Sequence, residues 1–255
     1  MRINRFYTDA ELPLETIVEL PSDVSGHIHR VLRMKEGEQI QLFNGDGFNY
    51  LAILTQVGKR VEAQVTHREA NDSESPFKVH LVQAIARGER MDYVIQKAVE
   101  LGVASITPMY SERVQFKLDA KRQAKKQAHW QKVIASACEQ SGRSVLPILY
   151  EPLSFNAYLA SVQSDDPMPT YLADPEAGMS LPRKLTHLID EEGNLHSSQC
   201  RVLVGPEGGF TPEEILELVD HPEVQNVTLG PRILRTETAG LTMLSILQAA
   251  LGDLT

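Results

Sequence analysis

Residues 201–210, Arg-Val-Leu-Val-Gly-Pro-Glu-Gly-Gly-Phe, constrain the fold more than any other stretch, because an apolar run stops abruptly in a glycine-rich turn. Val202, Leu203 and Val204 have no polar interruption, the pattern of a strand covered on both faces. Thr211-Pro212-Glu213-Glu214 then supplies an N-cap, a proline at the first helical position and a capping-box glutamate. The order is therefore strand, open loop, helix, and in α/β proteins such a loop exposes main-chain groups to ligands. Gly205, Gly208 and Gly209 let backbone approach closely. Their spacing is not that of dinucleotide or P-loop fingerprints, no lysine follows, and Glu207 would repel a phosphate, so a nucleotide phosphate is the weaker ligand class. Residues 229–239, Leu-Gly-Pro-Arg-Ile-Leu-Arg-Thr-Glu-Thr-Ala, repeat the design, and two such loops can wall one pocket.

A chain of 255 residues has room for one large or two modest domains. Its start lacks the apolar core of a signal peptide and no apolar run reaches the roughly 18 residues of a membrane span, so a cytoplasmic protein is expected. Cys138 and Cys200, far apart in sequence, fit a reducing compartment and give no metal-ligand spacing; no metal is expected. The net charge of −9 is uneven: −2 over residues 1–70, +4 over 71–150 and −11 over 151–255. A local basic surface on the first two stretches is compatible with that balance.

Residues 1–70 read as a small β-rich module, with strands at 16–20, 39–43, 50–54 and 60–65, a hairpin at Asn44-Gly45-Asp46-Gly47 and a short helical segment over 27–34. Small barrels of this kind often bind single-stranded RNA. Residues 71–76, Asn-Asp-Ser-Glu-Ser-Pro, are the linker candidate. From 77 to 255, strands at 78–86, 103–109, 146–150, 169–173, 201–204 and 225–229 alternate with helical patterns, which argues for a mostly parallel sheet with helices on both sides. The closing segment 239–251 is apolar around nearly its whole circumference and must be buried; a homodimer interface is the expected cover.

The two glycine-proline loops taken together resemble the signature of the SPOUT methyltransferases that make 3-methyluridine in 16S ribosomal RNA. Met1-Arg2-Ile3-Asn4-Arg5-Phe6, His29-Arg30-Val31-Leu32-Arg33, the run from Gly88-Glu89-Arg90-Met91-Asp92 to Gly102, and Glu139-Gln140-Ser141-Gly142-Arg143 look like that family too, so the likeness spans the chain. The resemblance implies a PUA-like amino-terminal barrel over 1–70 and a SPOUT α/β domain over 77–255 with a deep trefoil knot. It also implies a homodimer through the knot and last helix, 16S rRNA as partner within the small subunit, and S-adenosylmethionine as cofactor. Knots are nearly absent among folds, so nothing in the pattern alone predicts one.

For the donor, a sulfonium without phosphate, the wall is expected from Leu172, Ala173, Leu203, Val204, Gly205, Pro206, Gly208, Leu229, Gly230, Ile233, Leu234 and Thr238. Uracil N3 is a poor nucleophile while protonated. Arg235, with Arg232 as substitute, is expected to stabilise charge on a uracil oxygen. Glu237 or Glu207 is expected to accept the N3 proton. RNA contacts are expected from Arg2, Arg5, Arg30 and Arg33 on the barrel and Arg87, Arg90, Arg113 and Arg143 on the second domain. The alternative is a SPOUT-fold RNA-binding protein, or a methyltransferase acting on another RNA position.

Overall fold

The computed structural model describes residues 3–114, 119–162, 168–188 and 195–254. The chain divides into two compact units, Met1–Glu74 with Ala135–Leu146, and Ser75–Ile134 with Pro147–Thr255.

In the first unit β1 (Asn4–Tyr7), β2 (Ile17–Glu19), β3 (Gln39–Phe43), β4 (Phe48–Val57) and β5 (Val61–Ala70) form one sheet in the order β1-β3-β4-β5-β2. The period-two pattern is what builds it: Ile40 and Leu42, Ala52 and Leu54, and Val61, Ala63 and Val65 all enter one core. β3 and β4 pair antiparallel across the Asn44–Gly47 turn, where Asp46 accepts hydrogen bonds from the Phe48 N–H and the Tyr50 hydroxyl. A short α1 (Ser22–Gly26) runs into a π-helical stretch, His27–Leu32, that closes on Arg33 with φ 54°. The wider winding buries Ile28 and leaves Val31 and Leu32 exposed beside Arg30 and Arg33.

Two arginines expected at RNA serve this unit internally. Arg143 stands in it and not in the second domain, is only 4% exposed, and forks onto Glu74 through Nε at 2.9 Å and Nη2 at 2.6 Å. A buried bidentate pair cannot reach a phosphate without leaving a carboxylate stranded, so the expectation for Arg143 is corrected. Arg5 donates to Gln41, Asn49, the Arg143 carbonyl and Ser144, and its guanidinium lies 4.9 Å from the Phe43 ring centroid. Arg2 lies outside the described residues.

In the second unit β6 (Lys78–Ala84), β7 (Val103–Tyr110), β8 (Ile148–Leu149), β9 (Leu153–Ser154), β10 (Thr170–Ala173), β11 (Gln199–Val204) and β12 (Val224–Val227) form a seven-stranded sheet. The order is β12-β10-β11-β6-β7-β8, with β9 also on β7, and every pairing is parallel. Parallel neighbours require crossovers, and these carry α2 (Arg90–Glu100), α3 (Ala120–Ser141), α4 (Phe155–Val162), α5 (Leu181–Leu185) and α6 (Pro212–Val219), while α7 (Thr236–Leu251) follows the last strand. The last residues of α3 cluster with the first unit. Met91, Val94, Ile95 and Ala98 of α2 are buried, as their helical spacing requires. The start of α6 is a complete capping box: the Thr211 hydroxyl accepts from the Glu214 N–H at 3.1 Å and the Glu214 carboxylate from the Thr211 N–H at 2.9 Å. A cap of this kind contributes about 1 kcal/mol.

α7 begins three residues earlier than the apolar pattern suggested and packs against α2, α5, β6 and β11. Within one chain it is not buried all round: Met243, Leu244 and Leu247 are covered, Leu241 and Ile246 are partly open, and Ala249 and Ala250 are exposed.

His80 sits inside the sheet, with Nδ1 2.7 Å from the Ser105 hydroxyl and Nε2 3.4 Å from Gln199 Oε1. Burial first, then the charges of Arg201 and Lys78, push its pKa below 6.5 against a raising hydrogen bond from Gln199. The unfolded chain therefore takes up this proton first on acidification. His80's contribution to stability is whole above pH 6.5 and is lost as pH falls from there through the folded pKa. Urea midpoints measured from about pH 7.5 to about pH 5 should fall on the acid side, and less steeply in His80→Gln.

Candidate active site at the strand ends

The carboxyl ends of β10, β11 and β12 open into a cavity of ≈ 840 Å³ whose wall carries both glycine-proline loops. After Val204 the first loop turns tightly, the Gly209 N–H donating to the Pro206 carbonyl at 2.9 Å. A Cβ on Gly205 would stand 3.1 Å from the Phe210 ring. Any side chain there would displace a ring that packs 6.3 Å, centroid to centroid, from Phe155. In the second loop Gly230 has φ +108°, a conformation open to glycine and strained for other residues.

One side chain ties the loops together. The Thr236 hydroxyl, at the first turn of α7, donates to the Gly205 carbonyl at 2.6 Å and accepts from Nε2 of the fully buried Gln83 at 2.9 Å. Gln83 in turn donates to the Ala84 carbonyl at 3.0 Å. The backbone between Arg235 and Glu237 is thereby fastened to the end of β11 and to β6.

The charged groups on the wall have unlike partners. Glu207 Oε1 accepts the Arg87 N–H at 3.0 Å and Arg90 Nη1 at 2.8 Å. Burial would raise the Glu207 pKa, but the hydrogen bonds from Arg87, from its own N–H and from Arg90, with the charge of Arg90, hold it below the usual carboxylate value. Arg113 Nη1 donates to the carbonyls of Gly208 at 2.8 Å and Phe210 at 3.2 Å and so braces the first loop. Glu237 is 15% exposed, its Oε1 lies 4.0 Å from Arg235 Nη1, and its buried Oε2 has no hydrogen-bond partner. Arg235 itself is 77% exposed.

The cavity gathers Arg232, Arg235, Glu207 and Glu237 with Ala173, Val204, Gly205, Pro206, Gly208, Leu229, Gly230, Ile233 and Leu234, and Arg90 and Arg113 join its rim. It does not gather Leu172, Leu203 or Thr238. Leu172 and Leu203 are wholly buried, because alternate residues of a strand point away from a site that their neighbours line. Thr238 is exposed on α7 and lies outside the lining. Arg87 borders an adjoining cavity. Arg5, Arg30, Arg33 and Arg143 belong to the first unit.

Sequence reasoning missed Thr236 and Gln83 as site residues. Asp174 lines the cavity with one oxygen accepting from Asn226 at 2.9 Å and the other from the Glu176 N–H at 2.9 Å. The strand-end rule that pointed to Ala173 extends to it. Gln83 left one signal, a glutamine inside an otherwise apolar strand.

The fold is that of an RNA methyltransferase. Residues 73–248 match the RNA methyltransferase domain model and residues 20–65 the RNA methyltransferase PUA domain model. The chain is 31% identical over 257 residues to the ribosomal RNA small subunit methyltransferase E of Buchnera aphidicola subsp. Schizaphis graminum, covering 99% of this chain and 98% of that one. To the Bacillus subtilis enzyme of the same name it is 34% identical, over 92% of this chain and 93% of that one. Among solved structures, the Neisseria gonorrhoeae ribosomal RNA small subunit methyltransferase E bound to S-adenosyl methionine superposes with TM-score 0.87 at 36% identity, over 100% of both chains. A Legionella pneumophila protein solved with the cofactor SAM bound gives 0.89 at 38% identity, again over 100% of both. The chain belongs to the ribosomal RNA small subunit methyltransferase E family.

If the Thr236 hydroxyl fastens the loops, Thr236→Val should cost about 1–3 kcal/mol in denaturant unfolding, because the Gly205 carbonyl loses the hydroxyl donor and the Gln83 amide keeps only the Ala84 carbonyl of its two acceptors. Thr236→Ser, which keeps the hydroxyl, should stay well above Thr236→Val in the same measurement.

Proposed function

We propose that the protein uses S-adenosylmethionine to methylate small-subunit ribosomal RNA, at N3 of one uridine in 16S rRNA. The observation that carries this is the convergence of Arg235 and Glu237, at the start of α7, on a cavity formed by the two glycine-proline loops. The cavity suits the donor. Its ≈ 840 Å³ lies within the ordinary range for small-molecule sites, and Ile233, 86% exposed, offers apolar cover for a flat ring. Glu207, Glu237, Glu176 and Asp174 line it and favour a sulfonium over a phosphate. When bound, the donor supplies an electrophilic methyl group.

The protein's own part is to position and to move one proton. Arg235 sits exposed at the mouth, free to meet a uracil oxygen as negative charge gathers there. Glu237 offers the better proton acceptor, since one buried carboxylate oxygen is unengaged. Glu207, already holding two donors and stabilised as an anion, is the weaker base, and Arg232 remains the substitute for Arg235. Because N3 lies on the pairing edge, the target must be unpaired or flipped out. Arg30 and Arg33 in the first unit, and Arg87, Arg90 and Arg113 in the second, are the proposed RNA contacts. A trefoil knot through the second domain belongs to the same proposal, as does a homodimer in which Leu241 and Ile246 of α7 find their cover. The proposed working compartment is the cytoplasm; among the described residues no helix is long and apolar enough to cross a membrane.

Arg235→Ala should retain donor affinity by calorimetric titration while methyl transfer falls about 10²–10³-fold. Mass-spectrometric mapping of rRNA from cells lacking the protein should show one 3-methyluridine missing; an unchanged nucleoside profile would refute the assignment. Light scattering at micromolar concentration should give a dimer, and charge introduced at Ile246 should shift it toward monomer.

A further inference from the structure

Beside the main cavity lies a second, of ≈ 370 Å³, bordered by three arginines, Arg87, Arg90 and Arg113, and two glutamates, Glu89 and Glu207. Its one engaged anion is the Glu207 carboxylate, and the manner of engagement is specific. A single oxygen, Oε1, takes both the backbone N–H of Arg87 at 3.0 Å and the guanidinium of Arg90 at 2.8 Å. An amide and an arginine converging on one oxygen is the donor set that a phosphate oxygen accepts. Arg87 meanwhile is exposed and makes no ion pair among the described residues, and a Cβ on Gly88 would meet nothing within 4 Å.

We propose that this cavity seats a backbone phosphate of the RNA substrate, and that Glu207 occupies the seat when RNA is absent. The proposal rests on RNA being the substrate, as inferred above. The exchange is physically easy. The Arg90–Glu207 pair is 44% and 32% exposed, and ion pairs that open to water contribute little, so a phosphate meets a weak incumbent. Arg113 is held by the carbonyls of Gly208 and Phe210, which fixes a third positive group at the border whichever anion is present. Glu207 also lines the donor cavity, so its release on RNA arrival would reach the neighbouring site without any further moving part.

Filter binding of the full chain to a small-subunit rRNA transcript, without donor and over a salt series, tests this. Removing the incumbent charge with Glu207→Gln should tighten RNA binding about fivefold to tenfold and steepen the salt dependence by about 0.7 in log–log slope. Should that variant fail to fold, Glu207→Ala carries the same expectation. Arg90→Ala should weaken binding and abolish the gain in the double variant. RNA binding that is unchanged or weaker in the folded Glu207 variants overturns the proposal. A wild-type protein that titrates with S-adenosylmethionine but binds neither the transcript nor small ribosomal subunits from cells lacking it overturns instead the choice of RNA as substrate.

Discussion

The Thr236 hydroxyl is the point on which the site depends. It gives its proton to the Gly205 carbonyl and takes one from Gln83, so three elements distant in sequence meet at one oxygen. The arrangement requires that β11 end where it does, because a further residue of regular strand would carry that carbonyl into the ladder. It also requires a side chain with both donor and acceptor on a short stem. Valine has the shape and neither function; serine has both functions with less packing. Arg235 and Glu237 flank Thr236, so the positions of the two proposed reacting groups follow from one anchored residue.

The parallel sheet explains why the anchor is placed at that end. Its strands point one way, their carboxyl ends gather on one edge, and the loops that leave β10, β11 and β12 meet there. Within the cavity the two glutamates have different fates for local reasons. Glu207, on a loop, is met by an N–H and a guanidinium and is held as an anion. Glu237, on a helix whose start is fixed by Thr236, has one oxygen near Arg235 and one with no partner. Residue type alone does not separate them.

The chain announced its fold through features that act locally. The capping box at Thr211, the turn at Asn44–Gly47 and the helical spacing of Met91, Val94, Ile95 and Ala98 are decided within a few residues, and the structure has them where the pattern put them. Gly205 and Gly230 were legible as loop glycines, though the reasons differ: a neighbouring ring for one, backbone conformation for the other. What depended on distant partners was not legible. Arg143 resembles a surface arginine until Glu74 is seen against it. Leu172 and Leu203 belong to the right strands and the wrong face, and a strand end one residue out reverses that assignment. The Gln83–Thr236 contact spans 153 positions and leaves only a misplaced polar residue as its trace.

Glu237 carries an energetic tension that bears on its role. A buried carboxylate oxygen without a hydrogen bond costs about 1–3 kcal/mol relative to a paired one. Its place in the first turn of α7 offsets part of that, since exposed N–H dipoles favour negative charge there. Arg235, 4.0 Å away and mostly in water, offsets little more. A helix start could satisfy the same electrostatics with a solvated carboxylate at no such cost. A residue kept buried and half-unpaired beside an anchored backbone is consistent with the proton-accepting role proposed for it.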